Sequence, residues 1–165
     1  MMPIGQFSLT AQDGRTIGSA DLRGKVYVPD FIFTSCPSIC PVMSTQMANL
    51  HRRIDEADVR FVSITVDPER DTPEVLREYA ARYRADSRWH FLTGEPTEVR
   101  RTIERAFRLP VGEREEIAGG RYDIMHGARF VLIDRRGILR GLYETDADGL
   151  ERLERDVGRL LEEDG

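Results

Sequence analysis

The chain has 165 residues, 40% hydrophobic and 32% charged, which suits one well-buried core in a water-soluble protein and leaves too little chain for two ordinary domains. Its net charge of −5 comes from 24 basic and 29 acidic residues interleaved along the sequence, with no basic block, so nucleic-acid binding has no electrostatic footprint. No apolar run approaches the roughly 20 residues that cross a bilayer, and Met1-Met2-Pro3-Ile4 has neither the basic nor the apolar region of a signal peptide.

Phe7-Ser8-Leu9-Thr10 and Arg15-Thr16-Ile17 flank Ala11-Gln12-Asp13-Gly14, whose Asp-Gly pair signals an N-terminal hairpin. Residues 25–33 read as a buried strand interrupted by Pro29 and Asp30. Proline cannot donate to a ladder, so a bulge is expected near Pro29. A helix over residues 41–56 sets Met43, Met47, Leu50 and Ile54 on one face. Residues 59–66 form a β-branched strand. Thr72-Pro73-Glu74 then opens a second helix with a hydroxyl cap, a proline at the first position and an early carboxylate. Its apolar face is Val75, Leu76, Tyr79 and Tyr83.

Residues 89–92 make a short strand, and 96–107 a third helix with Val99, Ile103 and Phe107 inward. From 109 to 122 the chain is polar, glycine-bearing and without periodicity, the pattern of a long loop that is either functional or mobile. Residues 130–133 and 138–143 form a hairpin around Asp134-Arg135-Arg136-Gly137, and a last amphipathic helix carries Leu150, Leu153, Val157, Leu160 and Leu161. Strands that alternate with helices and end in a hairpin predict an α/β fold with a central mixed sheet flanked by helices, as one domain over residues 1–165.

The two cysteines, Cys36 and Cys40, lie in Phe33-Thr34-Ser35-Cys36-Pro37-Ser38-Ile39-Cys40-Pro41, at the joint between the apolar strand and the first helix. Two cysteines do not staple a domain of this size, so their closeness points to redox or metal work. Regular helix is expected to start near Pro41, with residues 36–39 as a loop folding back over its start. Unpaired N–H groups and the positive dipole there favour a thiolate, which is both the nucleophile and the soft metal ligand. A spacer of three residues opens the bite of the pair and suits a metal with a third ligand from elsewhere.

Three histidines are candidates for that ligand. His51, beside Arg52 and Arg53, reads as a solvated cation at a helix C-terminus, and His90, after Trp89, as structural. His126, in Tyr122-Asp123-Ile124-Met125-His126-Gly127, reads from its position either as a ligand or as a hydrogen-bonded, half-buried imidazole. Two thiolates and one imidazole suit copper or zinc, and a set of three is more at home with Cu(I). Met43 shares a helical stripe with Met47 and reads as core, whereas Met125 adjoins His126. Asp67, at the end of its strand, reads as a turn opener or as support behind a metal site, and Asp71 as a shaper of the same turn.

Asp30-Phe31-Ile32-Phe33-Thr34-Ser35-Cys36-Pro37-Ser38-Ile39-Cys40-Pro41 resembles the first signature of the Sco/SenC family, and Ser63-Ile64-Thr65-Val66-Asp67-Pro68-Glu69-Arg70-Asp71-Thr72-Pro73 its second. Phe91-Leu92-Thr93-Gly94 and His126 with its following hairpin resemble two further segments, in the family's order. The resemblance implies a thioredoxin-like fold and copper held by Cys36, Cys40 and His126. It also implies a metallochaperone that delivers copper to, or matures by thiol reduction, the binuclear copper centre of cytochrome c oxidase. The partner would be the subunit that carries that centre, or another protein that gives or takes copper. Family members are tethered by an N-terminal membrane helix with this domain on the periplasmic or intermembrane-space side, so a tether is expected outside these residues. The family's acidic residue before the histidine and small hydroxyl residue after it are replaced by Met125 and Gly127, which alters the hydrogen bonding available to the imidazole. The alternative is a thiol-disulfide oxidoreductase that cycles Cys36 and Cys40 without needing His126. A peroxidase is a weaker third reading, because no arginine-assisted peroxide pocket is identifiable.

Overall fold

A computed structural model describes residues 2–35, 39–107, 115–117, 121–123 and 129–163. In chain order these form β1 (Met2–Pro3), β2 (Ser8–Ala11), β3 (Thr16–Gly18), α1 (Ser19–Leu22), β4 (Val26–Ile32), α2 (Ile39–Arg53), β5 (Val59–Thr65), α3 (Pro73–Arg82), β6 (Trp89–Thr93) and α4 (Pro96–Arg101). A π-helical turn (Thr102–Ala106), β7 (Glu115–Ile117), β8 (Arg121–Asp123), β9 (Phe130–Ile133), β10 (Ile138–Tyr143) and α5 (Ala147–Glu162) follow. Eight strands make one mixed sheet in the order β1-β10-β9-β4-β5-β6-β2-β3. β4, β5 and β6 run parallel at its centre, while β9 lies antiparallel beside β4 and the β2–β3 hairpin closes the far side against β6.

The apolar run of β4 is what a strand covered on both faces requires. Val26, Val28 and Ile32 point into a core built with Met43, Met47 and Leu50 of α2, Leu76 and Tyr79 of α3, and Leu153 and Val157 of α5. Tyr27 and Phe31 alternate to the opposite face, against Phe7, Leu9, Val99, Ile103 and Phe107. The stripe expected on the first helix is therefore the buried one.

No bulge forms at Pro29. β4 pairs with β5 in unbroken register from Val26↔Val59 to Ile32↔Thr65. Val26 donates to the Asp58 carbonyl and Val66 to the Ile32 carbonyl, so even-numbered residues of β4 bond to β5. Pro29 turns its donorless nitrogen away from β5 to the β9 side, where the recorded bridge is Tyr27↔Ile133, so the β4–β5 ladder keeps its bonds. The sheet's irregularity falls instead in β10, between Leu139 and Gly141.

Three boundaries also move. α2 begins at Ile39 rather than Pro41, which places that proline in the first turn, where a missing N–H breaks no helical bond. The third helix widens after Arg101: Phe107 donates to the Thr102 carbonyl, five residues back, and the Thr102 hydroxyl caps the Glu98 carbonyl at 2.8 Å. The stretch 109–122, expected to be all loop, contains β7 and part of β8, paired as an antiparallel ribbon from Glu115↔Asp123 to Ile117↔Arg121. At the β9–β10 turn, Gly137 adopts φ 81°, and Asp134 Oδ1 accepts from the N–H groups of Arg136 and Ile138.

Candidate functional site

β4 ends at Ile32 and α2 begins at Ile39, so the chain passes from the end of the central strand to the helix within a few residues. Cys36 and His126 lie outside the described residues, as does Met125, while the backbone of Cys40 sits in the first turn of α2. The dipole argument applies to that position directly, because a helix of 15 residues presents its positive end there. Among the described residues no three His, Cys, Asp or Glu side chains cluster as a metal site.

Connectivity brings the start of β9 to the edge where β4 ends. β9 is antiparallel to β4 with Tyr27 level with Ile133, so the start of β9 lies beside the end of β4. Continued at that register, Phe130 is level with Asp30. The chain that leads into β9, with His126 four residues before Phe130, reaches the sheet at the edge from which the cysteine segment leaves. Four residues span at most about 14 Å.

A buried carboxylate fastens the start of the cysteine segment. Asp71 accepts from the Thr34 backbone N–H at 3.0 Å and from the Thr34 hydroxyl at 2.5 Å, and also from the Thr65 hydroxyl at 2.7 Å. It has no exposed surface. Thr65 is the last residue of β5, and its Oγ1 accepts from the Asp67 N–H at 2.9 Å. The Asp67 carbonyl closes the turn by accepting from Arg70 and Asp71. Thus Asp71, read from sequence as a turn shaper, ties Thr34, two residues before Cys36, to the end of β5. Asp67 is buried beside the same turn, with Arg70 at 4.0 Å, and borders a cleft of about 120 Å³ formed with Pro68, Pro96, Arg100 and Ile103.

A second buried carboxylate escaped the sequence reading. Asp30 points into the core from the middle of the sheet and accepts from Ser63 Oγ at 2.6 Å. Ser63 Oγ in turn accepts from the Trp89 indole N–H at 3.0 Å. Burial pushes the Asp30 carboxyl up to about 7, with the Ser63 bond opposing the shift.

The remaining histidines are structural. His51 is 5% exposed rather than solvated: its Nε2 lies 2.7 Å from Asp86 Oδ1, and its ring packs against Phe61 and Trp89. The expectation failed because its neighbours Arg52 and Arg53 are exposed while position 51 falls on the buried stripe. His90 is half-buried, and burial lowers its pKa. Met43 is fully buried among core residues, as expected of its stripe.

Comparison with known proteins is consistent in kind. The SCO1/SenC family model matches residues 3–162. A SCO1/SenC family lipoprotein from Bacillus anthracis is 34% identical, with 98% of this chain and 96% of that one covered and a TM-score of 0.83. ScoI of Bradyrhizobium japonicum, solved with copper bound, is 28% identical with a TM-score of 0.78, over 96% and 99% of the two chains. BsSco, described as having a disulfide switch and as a member of the Sco family of cytochrome c oxidase assembly proteins, is 30% identical with a TM-score of 0.81, over 96% and 93%. The thioredoxin-like architecture expected from the motifs is the one these chains share.

Proposed function

This chain belongs to the SCO1/SenC family, and on that premise we propose that it binds copper and serves the assembly of cytochrome c oxidase. Its ligands are Cys36, Cys40 and His126, and copper is cargo, taken up and passed on by ligand exchange. Two thiolates and an imidazole are soft and borderline donors that suit Cu(I), and three ligands leave room for an incoming thiolate or imidazole from the acceptor. The observation that carries this reading is the convergence at one sheet edge of the segments leaving β4 and entering β9. The copper-bound relative at 28% identity supports the choice of metal.

Around that set, Asp71 holds the cysteine segment by Thr34, while Asp67 acts from behind the ligands rather than as one. The acceptor is the oxidase subunit with the binuclear copper centre, or another protein that gives or takes copper. The domain works on the outer, periplasmic side of a membrane, tethered by chain outside these residues. The lipoprotein nature of a relative supports this.

Anaerobic Cu(I) titration against a competing chelator tests the assignment. One copper per chain is expected, with binding strongly weakened in Cys36→Ser, Cys40→Ser and His126→Ala. Full-strength binding by Cys36→Ser would overturn it.

A second reading, thiol-disulfide exchange, is supported by the disulfide switch attributed to BsSco. Cys36 and Cys40 would give two electrons and two protons to a target disulfide, forming their own S–S bond and leaving two thiols on the target. An exchange rate unchanged in His126→Ala, with negligible copper affinity, would favour it.

A further inference from the structure

Tyr27, the second residue of β4, is 1% exposed, and its hydroxyl has no hydrogen-bond partner among the described residues. A buried phenol ordinarily finds one. Tyr27 lines a cleft of about 40 Å³ together with Ile4, Gln6, Ser19, Arg23 and Arg136. A cleft of that size has room for about three waters, or for the oxygens of one small oxyanion.

Backbone bonds fix its walls. Gly24 donates to the Arg135 carbonyl at 2.9 Å, which joins the turn before β4 to the turn between β9 and β10. Ile4 donates to the Gly137 carbonyl at 3.0 Å and Gly5 to the Ala106 carbonyl at 2.9 Å, so the N-terminal segment is held against the same end of the sheet.

The charge facing the cleft is positive and uncommitted. Arg23 is exposed and has no ion-pair partner among the described residues, and Arg136 has only Asp134, at 3.8 Å. The carboxylates that would oppose an anion are held by other groups. Asp134 accepts from Arg140 at 3.0 Å and from the N–H groups of Arg136 and Ile138. Asp58 is shared by Lys25 and Arg135, Glu163 is taken by Arg140, and Asp21 accepts from the Gly18 N–H. Burial raises the Tyr27 pKa, against the pull of Arg23, so the phenol keeps its proton and remains a donor at neutral pH.

We propose that this cleft is a phosphate site, in which the guanidinium groups of Arg23 and Arg136 neutralise the anion and the Tyr27 hydroxyl donates to one of its oxygens. Donors from three separate elements suit a tetrahedral oxyanion better than a planar carboxylate. The phosphate is either the free ion or the headgroup of an anionic phospholipid. The site stands at the start of β4, whereas the cysteine segment follows the other end, roughly 17 Å away along the strand. A domain seated on lipid through this cleft holds the cysteine segment away from the bilayer.

Calorimetric titration of the copper-free chain with inorganic phosphate at low ionic strength tests the site. One phosphate per chain is expected. Affinity should fall about tenfold or more in Arg23→Gln and in Arg136→Gln, and about tenfold in Tyr27→Phe, which alters no charge. Arg155→Gln removes the same charge from an exposed position on α5 and should bind as the native chain does. Co-sedimentation with vesicles of equal parts phosphatidylglycerol and phosphatidylcholine separates the two sources. Retention that is lost on pure phosphatidylcholine and in the Arg23→Gln/Arg136→Gln double variant assigns the headgroup, and calorimetric binding without retention assigns the free ion. No binding in either arm, an equal loss in Arg155→Gln, or unchanged binding in Tyr27→Phe would overturn the proposal. Circular dichroism of each variant checks that the fold is kept, and none of the readouts involves copper.

Discussion

Asp71 grips Thr34 through both carboxylate oxygens, one on the backbone N–H and one on the hydroxyl, across 37 residues of sequence. The grip fixes the chain two residues before Cys36 to the turn that follows β5, so the cysteine segment leaves the sheet from a defined point.

Asp71→Ala should therefore act on stability and on cargo together. It strips hydrogen bonds from the Thr34 N–H and from the hydroxyls of Thr34 and Thr65, the last of which is fully buried. A loss of about 2–4 kcal/mol by urea unfolding is expected, together with weaker Cu(I) retention against a chelator. Stability within experimental error of the native chain would show that the clamp is dispensable.

The raised Asp30 carboxyl gives stability a distinctive slope. The group binds its proton more tightly folded, near 7, than unfolded, near 3.8. Its favourable contribution is thus complete below 3.8 and is lost as pH rises through 7. Carboxylates with lowered values, such as Asp86 and Asp134, slope the other way and act only at lower pH. Urea unfolding at pH 5 and pH 8 should find the native chain weaker at the higher pH by ~2–4 kcal/mol, with most of that difference removed in Asp30→Asn. A flat profile shared by both chains would contradict the burial argument.

Met43 distinguishes packing from ligation. It is fully buried in the α2 stripe, so Met43→Ala should cost ~2–5 kcal/mol through the cavity it leaves. Met43→Leu keeps the volume and should cost less than about 1.5 kcal/mol. Cu(I) affinity should be the same in Met43→Leu as in the native chain, and a large drop there would make the thioether a ligand after all.

Gly149, in the first turn of α5, has no room for a side chain. A Cβ there would stand 2.1 Å from the Glu144 carbonyl oxygen and 3.0 Å from the Glu144 nitrogen, both backbone atoms. Gly149→Ala should destabilise by more than ~2 kcal/mol, whereas Gly158→Ala on the same helix, with nothing within 4 Å, should be neutral or stabilising. Thermal unfolding of the two variants side by side is sufficient.

What could be read from sequence was local. The cysteine pair, its prolines and the preceding apolar strand are contiguous, and the stripe of Met43, Met47 and Leu50 repeats at helical spacing, so a candidate site and the architecture could be read together. What escaped depends on partners far along the chain. Asp71 looked like a turn residue because Thr34 lies 37 positions away, and His51 looked solvated because Asp86 lies 35 positions away. Asp30 looked like an interruption in an apolar strand, and only the register with Ser63 gives it a partner. Pro29 misled for a related reason: whether a missing N–H matters depends on which neighbour it faces.

The outermost strands of the sheet, β1 and β3, are only two and three residues long, and β1 contains Pro3, which has no N–H to offer. Among the described residues, neither outermost strand therefore presents a long row of free backbone groups on which a second molecule could template itself. A sheet with such rims is poorly placed to be trapped by strand exchange with another molecule.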